Sequence, residues 1–431
     1  MTHHFLASLR CAALSVLLLF SVGCGFVTAQ TQSAAVRLLG ADLSMLPAYE
    51  QAGVPFKDAS GVEQSDPLLF FRDAGAIRCV RVRLFVNPTR ATGVIQDLDY
   101  VKRFGARIKQ AGMQLMLDFH YSDTWADPSS QRLPAGWPTA ADAVAAKLYD
   151  YTAETLAALN AAGATPDYIQ LGNEISYGMC GLKVYTSSDQ GWDTFRAYLN
   201  AAARACREQC PEARLVIHTE RAGQWNVGKV IYQRLATVDY DIIGLSYYPI
   251  WHNSLSVLGA TLSNCAATFP DKEVMIVETA YNNAWYPSDA TYNFASTYPA
   301  TPAGQQKFVE ALITELLRHD NVTGLFYWFP EENPYENHLY EPWVNRGLFN
   351  NGYGNEWPNG HRALPAFYSL SKFTAGQPDG ISDVPVAPSV AGRSAVGPSA
   401  DSRSFSLSGR PVTSSHRGIT VSRGHKHLHL R

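Results

Sequence analysis

Between residues 36 and 376, short apolar runs alternate with longer stretches of helical periodicity. The runs read VRLLGADL, CVRVRLFV, QLMLDFHY, DYIQLGNE, RLVIHTE, DIIGLSYY, EVMIVET and VTGLFYWF. Runs this short, rich in β-branched and aromatic residues and with little polar alternation, predict strands covered on both faces. The segments between them include AADAVAAKLYDYTAETLAALNAAG and TPAGQQKFVEALITELLRHD, with apolar residues three and four apart. Strands alternating with helices predict parallel βαβ units. Eight such units in one segment predict an α/β fold, a (β/α)8 TIM barrel forming a single domain over 36–376. The rival doubly wound sheet is disfavoured, because no glycine-rich phosphate loop follows the first run.

The two ends follow other rules. Arg10 precedes an apolar run from Cys11 to Gly23, and small residues follow up to Val27-Thr28-Ala29. That is the pattern of a signal peptide over 1–29, and it predicts a secreted protein. The run is short for a membrane span. Cys24 after Gly23 offers the alternative of a lipid anchor on a bacterial envelope. From 380 to 431, Ser, Gly, Pro and Arg dominate without periodicity, which predicts a disordered tail.

Composition narrows the partners. Hydrophobic residues make up 46% of the 431 and charged residues 17%, which suits a globular core. The formal net charge of −3 supplies no field for a polyanion, so no nucleic-acid partner is expected. No obligate protein partner is expected either, and the chain should be a monomer. Nine Trp and 22 Tyr are more informative, because several fall in polar, loop-like sequence. Aromatic faces at such positions suit stacking on sugar rings. Cys79, Cys180, Cys206, Cys210 and Cys265 follow no zinc spacing and are read as thiols, with a local Cys206–Cys210 bridge the one alternative.

In a (β/α)8 barrel, chemistry collects at the C-terminal ends of the strands. Polar residues close most of the predicted strands here: Asp42, Arg83, Asp118 and His120, Asn173 and Glu174, His218 and Glu220, Tyr247 and Tyr248, Glu278, and Trp328. Two carboxylates stand out, Glu174 after the fourth run and Glu278 after the seventh. Paired carboxylates across a cleft are what glycoside hydrolysis needs, one as proton donor and the other as nucleophile or base. Asn173 is suited to a sugar 2-hydroxyl. Arg83 and Tyr247 are placed to hold Glu278 ionised. Trp125, Trp137, Trp251, Trp285 and Trp343 are candidate stacking platforms.

Several motifs then point one way. GADLSMLPAYEQAGVPFKDASG, VRVRLFVNP, DFHYSDTWADPSSQRLPAGW, QLGNEI, DIIGLSYYPIWH and MIVETAYNNAW resemble those of glycoside hydrolase family 53. The resemblance runs from about Gly40 to Phe373. It implies a retaining endo-β-1,4-galactanase (arabinogalactan endo-β-1,4-galactosidase) acting on galactan side chains of pectin. Glu174 would be its acid/base and Glu278 its nucleophile. Arg83, Asn173, His120, Tyr247 and Trp328 match positions that line the catalytic subsite, and Asp42, Asp118, Trp125 and Asp127 match family motifs. Trp251 is added as a substrate platform. No cofactor is required. The resemblance allows structural calcium in the loop after the eighth strand, with Glu331, Glu332, Glu336 and Asn337 as oxygen donors. Two other readings stay open: a related β-glycanase acting on mannan or cellulose, and a barrel that binds glycan without cutting it.

Overall fold

The computed structural model describes residues 36–91, 93–333, 344–350 and 360–375, with the backbone of four short strands between 404 and 429. Eight strands close into a barrel: β1 (Leu38–Asp42), β2 (Cys79–Leu84), β3 (Gln114–Phe119), β4 (Tyr168–Leu171), β5 (Arg214–Thr219), β6 (Ile242–Ser246), β7 (Glu273–Glu278) and β8 (Val322–Trp328). All neighbours run parallel in chain order, and β1 closes against β8. Each predicted apolar run supplies one strand. The (β/α)8 expectation is met.

Helices α1 (Leu46–Gln51), α2 (Pro67–Asp73), α3 (Leu98–Gln110), α4 (Ala141–Ala161), α5 (Trp192–Gln209), α6 (Trp225–Arg234), α7 (Pro249–His252), α8 (Leu255–Thr268), α9 (Pro302–Leu316) and α10 (Pro365–Ser369) fill the connections. Their starts are chemically marked. Asp97 accepts a hydrogen bond from the Tyr100 amide at 2.9 Å to open α3. Thr301 does the same for Gly304 at α9, with Pro302 fixing the first turn.

Strand alternation divides the core into two populations. Leu39, Val80, Val82, Leu115, Leu117, Ile243, Leu245, Val274 and Ile276 face outward onto the helices. Cys79, Met116, Val216, Ile242, Met275, Val277 and Phe326 fill the barrel itself. Phe326 fits because Gly40 stands opposite: a Cβ on Gly40 would lie 2.2 Å from the Phe326 ring. The five cysteines among the described residues are buried free thiols, so the Cys206–Cys210 bridge does not form.

The chain divides into two compact units, the second being Ser382–Arg431. Composition predicts no regular structure there. The second unit nonetheless carries strands β9 (Ser404–Ser406), β10 (Pro411–Val412), β11 (Gly418–Ser422) and β12 (His425–His429), paired antiparallel in the order β10-β9-β11-β12. The local signal is the β-branched Ile419-Thr420-Val421 beside the alternating HKHLH, which an average over 50 residues conceals. The leader at 1–29 lies outside the described residues. Among the described residues no helix is long and apolar enough to cross a membrane.

Candidate active site

The inward-facing positions near the C-terminal ends of the strands are polar and buried. Arg81 on β2 is the hub. Its Nη1 donates to Asp42 Oδ2 at 2.7 Å. Its Nη2 lies 2.8 Å from Asp118 Oδ2, 2.9 Å from Glu278 Oε1 and 2.9 Å from Asn173 Oδ1. Its Nε donates to Gln170 Oε1 at 3.1 Å. Arg83, one inward position nearer the mouth, donates to Asp42 Oδ1 at 2.8 Å. Its guanidinium lies over Trp125, Phe329 and Trp328, 4.9, 5.2 and 5.9 Å from the ring centres. The sequence pattern predicts Arg83 as the partner of Glu278. The structure gives that place to Arg81, because both arginines face inward on CVRVRL and the deeper one meets the carboxylate.

Tyr247 is corrected in the same way. It follows β6 in the outward phase, stacks near Phe308 with centroids 6.5 Å apart, and donates to the Asn253 carbonyl. Tyr248 is the residue that donates to Glu278 Oε2, at 3.0 Å. Glu278 itself would face outward if β7 alternated strictly. The register shifts instead: Leu245 pairs with Ile276, but Ser246 pairs with Glu278. Val277 is the extra residue. This bulge turns the carboxylate into the barrel.

Glu174 arrives by a different device. Gly172 (φ 83°) turns the chain out of β4, and Glu174 adopts a left-handed conformation (φ 48°, ψ 51°). Such backbone costs a non-glycine residue about 1–3 kcal/mol and is typical of functional sites. Tyr121 and Phe329, just past β3 and β8, share it. Ser246 donates to Glu174 Oε1 at 2.6 Å.

The two glutamates are electrostatically unequal. Burial, Glu278 and then Glu220 push the Glu174 carboxyl well above its ordinary range. Burial also raises Glu278, but Arg81 opposes it and holds it at about 7. The buried cluster has two guanidiniums against Asp42, Asp118 and Glu278, so it already carries one net negative charge. Ionising Glu174 beside it is disfavoured. Glu278 is therefore the first of the two to ionise, and Glu174 keeps its proton to higher pH.

The other predicted residues assemble around this pair. His120 accepts from the Ala126 amide through Nδ1 and presents Nε2 to Asp118 at 3.2 Å. Burial works against an ionised Asp118, yet Arg81 and His120 hold its carboxyl down to about 2. Asn173 donates to the Ala126 carbonyl at 2.8 Å. Trp125 and Trp328 sit 6.4 Å apart at the mouth, and Trp328 is 6.4 Å from Tyr248. Trp251 packs edge-on to Tyr248 at 5.4 Å and helps line a cavity of about 260 Å³ with Tyr177, Glu220, Arg221 and Tyr292. Trp137 is a packing residue, buried against Tyr151. Trp343 lies outside the described residues.

Arg81, Gln170, Ser246 and the role of Tyr248 are absent from the sequence-based site. Gln170 and Ser246 carried a signal, as polar residues inside runs otherwise buried on both faces. The calcium donors Glu336 and Asn337 lie outside the described residues. Glu331 accepts from the Met45 amide at 2.9 Å, and burial beside Asp42 pushes its carboxyl well up. No group of three or more His, Cys, Asp or Glu that could hold a metal occurs among the described residues.

The family model described as glycosyl hydrolase family 53 matches residues 38–367, which is most of the chain and the whole barrel. The chain belongs to glycosyl hydrolase family 53. It is a glycoside hydrolase. An arabinogalactan endo-β-1,4-galactanase of Thermothelomyces thermophilus is 34% identical over 304 residues, covering 68% of this chain and 88% of that protein. One of Cellvibrio japonicus is 33% identical over 362 residues, covering 76% and 89%. Among solved structures, the Ignisphaera aggregans family 53 catalytic domain superposes with a TM-score of 0.69 at 28% identity, covering 79% of this chain and 96% of that one. A fungal β-1,4-galactanase superposes with a TM-score of 0.66 at 30% identity, covering 78% and 99%. Family 53 membership thus accords with the barrel.

Proposed function

We propose that the protein is a retaining endo-β-1,4-galactanase that cleaves galactan side chains of pectin outside the cell, with Glu174 as acid/base and Glu278 as nucleophile. The galactan assignment rests on the family 53 relatives named as arabinogalactan endo-β-1,4-galactanases. The leader pattern over 1–29 supports secretion. The roles rest on one observation, the unequal surroundings of the two glutamates. Glu278 has a guanidinium at 2.9 Å and a tyrosine hydroxyl at 3.0 Å, whereas Glu174 has a serine hydroxyl and neighbouring negative charge.

The chemistry follows from that inequality. The ionised Glu278 attacks the anomeric carbon while Glu174 gives its proton to the departing C4 oxygen. The free hydrogen on Asn173 Nδ2 is available to the sugar 2-hydroxyl, a contact that tightens as the ring gains oxocarbenium character. Esterification removes the negative charge of Glu278, and the Glu174 carboxyl becomes more acidic. Ionised, Glu174 then takes a proton from the incoming water, which releases the sugar with its original configuration. Trp125, Trp251 and Trp328 supply the apolar faces along the groove, and Asp42, Arg83 and His120 brace the floor beneath the reacting sugar.

The test is product analysis on potato-type β-1,4-galactan. The wild-type protein should release short galacto-oligosaccharides whose first-formed anomer, followed by proton NMR, is β. Glu174→Gln and Glu278→Ala should each reduce release by at least about a thousandfold. Equal release by Glu278→Ala, or α product first, would sink the reading.

A further inference from the structure

Glu174 Oε1 is the end of a buried hydrogen-bond chain that the mechanism above does not use. Ser246 Oγ lies 2.6 Å from Oε1, and His218 Nε2 lies 2.8 Å from the same hydroxyl. His218 and Ser246 are both fully buried, at inward positions of the adjacent strands β5 and β6. A serine hydroxyl has one hydrogen, so its direction depends on which histidine nitrogen is protonated.

The surroundings of Nδ1 decide that. Gln170 accepts from Arg81 Nε through Oε1, which fixes its amide orientation. Its Nε2 then donates to Asp118 Oδ1 at 2.7 Å, and its second hydrogen faces the Gly172 carbonyl and His218 Nδ1, each at 3.0 Å, with Asn173 Oδ1 at 3.3 Å. The Glu174 backbone N–H points at the same nitrogen from 3.4 Å. Asn173 Oδ1 is also 3.0 Å away and accepts from Arg81 Nη2 at 2.9 Å. The Glu174 N–H directed at Nδ1 makes that nitrogen an acceptor and places the ring hydrogen on Nε2. His218 then donates to Ser246, and Ser246 donates to Glu174 Oε1.

We propose that His218 and Ser246 form a one-directional strut that occupies Glu174 Oε1 as an acceptor, so that the catalytic proton is carried and delivered by Oε2. His218 is thus a positioning residue that acts through Ser246. The inference rests on Glu174 being the acid/base. The strut serves both half-reactions, because Ser246 donates to Oε1 whether Oε2 is protonated or ionised. It also keeps the proton from turning toward Ser246, where it cannot reach the leaving oxygen. Burial and then Arg81 push the His218 imidazole well below its ordinary range, so the ring stays neutral through the cycle.

Two measurements test this. The groups that face Glu174 besides the strut are Glu278 on β7, Tyr248 after β6, Glu220 after β5 and Asp127 after β3. None is altered in the variants, so their contributions stay in place. In Ser246→Ala the donor that favours ionised Oε1 is lost, and the basic limb of kcat/KM on galactan should move up by roughly one pH unit. Its kcat should fall about tenfold or more, and Ser246→Thr should restore both. His218→Phe should repeat the shift, and His218→Gln, whose amide nitrogen can stand in for Nε2, should reverse most of it. Loss of kcat with an unmoved basic limb would overturn the proposal. The second measurement needs no substrate: nitrogen-15 NMR of the resting protein should give His218 as the neutral Nε2–H form. A neutral Nδ1–H form, or an imidazolium, at pH 6–8 would overturn the strut while leaving galactan cleavage intact. Absence of galactan cleavage by the wild-type protein would instead defeat the functional reading and leave the tautomer where it is.

Discussion

Nη2 of Arg81 lies 2.9 Å from Oε1 of Glu278, and the same guanidinium holds Asp42 and Asp118. One buried cation therefore serves three carboxylates from β1, β3 and β7. It is what keeps Glu278 ionisable in a site where burial works to protonate it.

Arg81→Lys should expose that dependence. A lysine ammonium cannot span three acceptors, so Glu278 loses much of its counter-charge and its carboxyl rises further above 7. The acidic limb of kcat/KM should move up, and galactan cleavage at pH 6 should fall at least about a hundredfold. Arg83→Lys leaves Glu278 its partner, so its acidic limb should stay in place. A pH–rate profile of both variants checks this.

The two tyrosines after β6 should separate cleanly. Tyr248→Phe removes the hydroxyl that donates to Glu278 and should lower kcat about ten- to a hundredfold with little change in melting temperature. Tyr247→Phe removes a bond to the Asn253 carbonyl behind the strand and should cost about 1 kcal/mol of stability while sparing kcat. Steady-state kinetics and urea unfolding on the pair distinguish the roles.

Glu278 also makes stability depend on pH. Its folded carboxyl is raised from 4.5 to about 7, mainly by burial and against Arg81. A raised acid binds its proton more tightly when folded. Its contribution is present in full below 4.5 and is lost as pH climbs through 7. Glu278→Gln lacks that loss. The stability of the variant relative to wild type should therefore grow between pH 4.5 and 7.5, by roughly 2–3 kcal/mol. Glu174 adds in the same sense, because removing the Glu278 charge also relieves its own rise. Chemical denaturation across that range measures the gap, and a constant gap would contradict the burial of Glu278.

Inside the barrel, Gly40 and Phe326 are a matched pair. A methyl at Gly40 would meet the ring at 2.2 Å, so Gly40→Ala should cost about 1–3 kcal/mol or force the ring to move. Phe326→Leu in the Gly40→Ala background should recover part of that loss. A double-mutant cycle on melting curves gives the coupling.

The linear sequence determined the fold and pointed to the two glutamates. Eight apolar runs separated by helical stretches predict parallel βαβ units, because parallel strands need crossover helices and cover on both faces. Glu174 and Glu278 were legible because each ends such a run, and strand ends on one rim face a common cleft. Tertiary structure decided which neighbours serve them. Arg81 and Arg83 share one phase of β2, so alternation alone does not say which reaches Glu278; depth in the barrel does. Tyr248 replaces Tyr247 because Tyr247 falls in the outward phase of β6. Glu278 faces inward only because Val277 is bulged out of register with β6. Gln170, His218 and Ser246 form the chain that ends on Glu174 only when β4, β5 and β6 are laid side by side. Periodicity is a property of one strand, whereas hydrogen-bond partners come from the register between strands, and no single run contains that information.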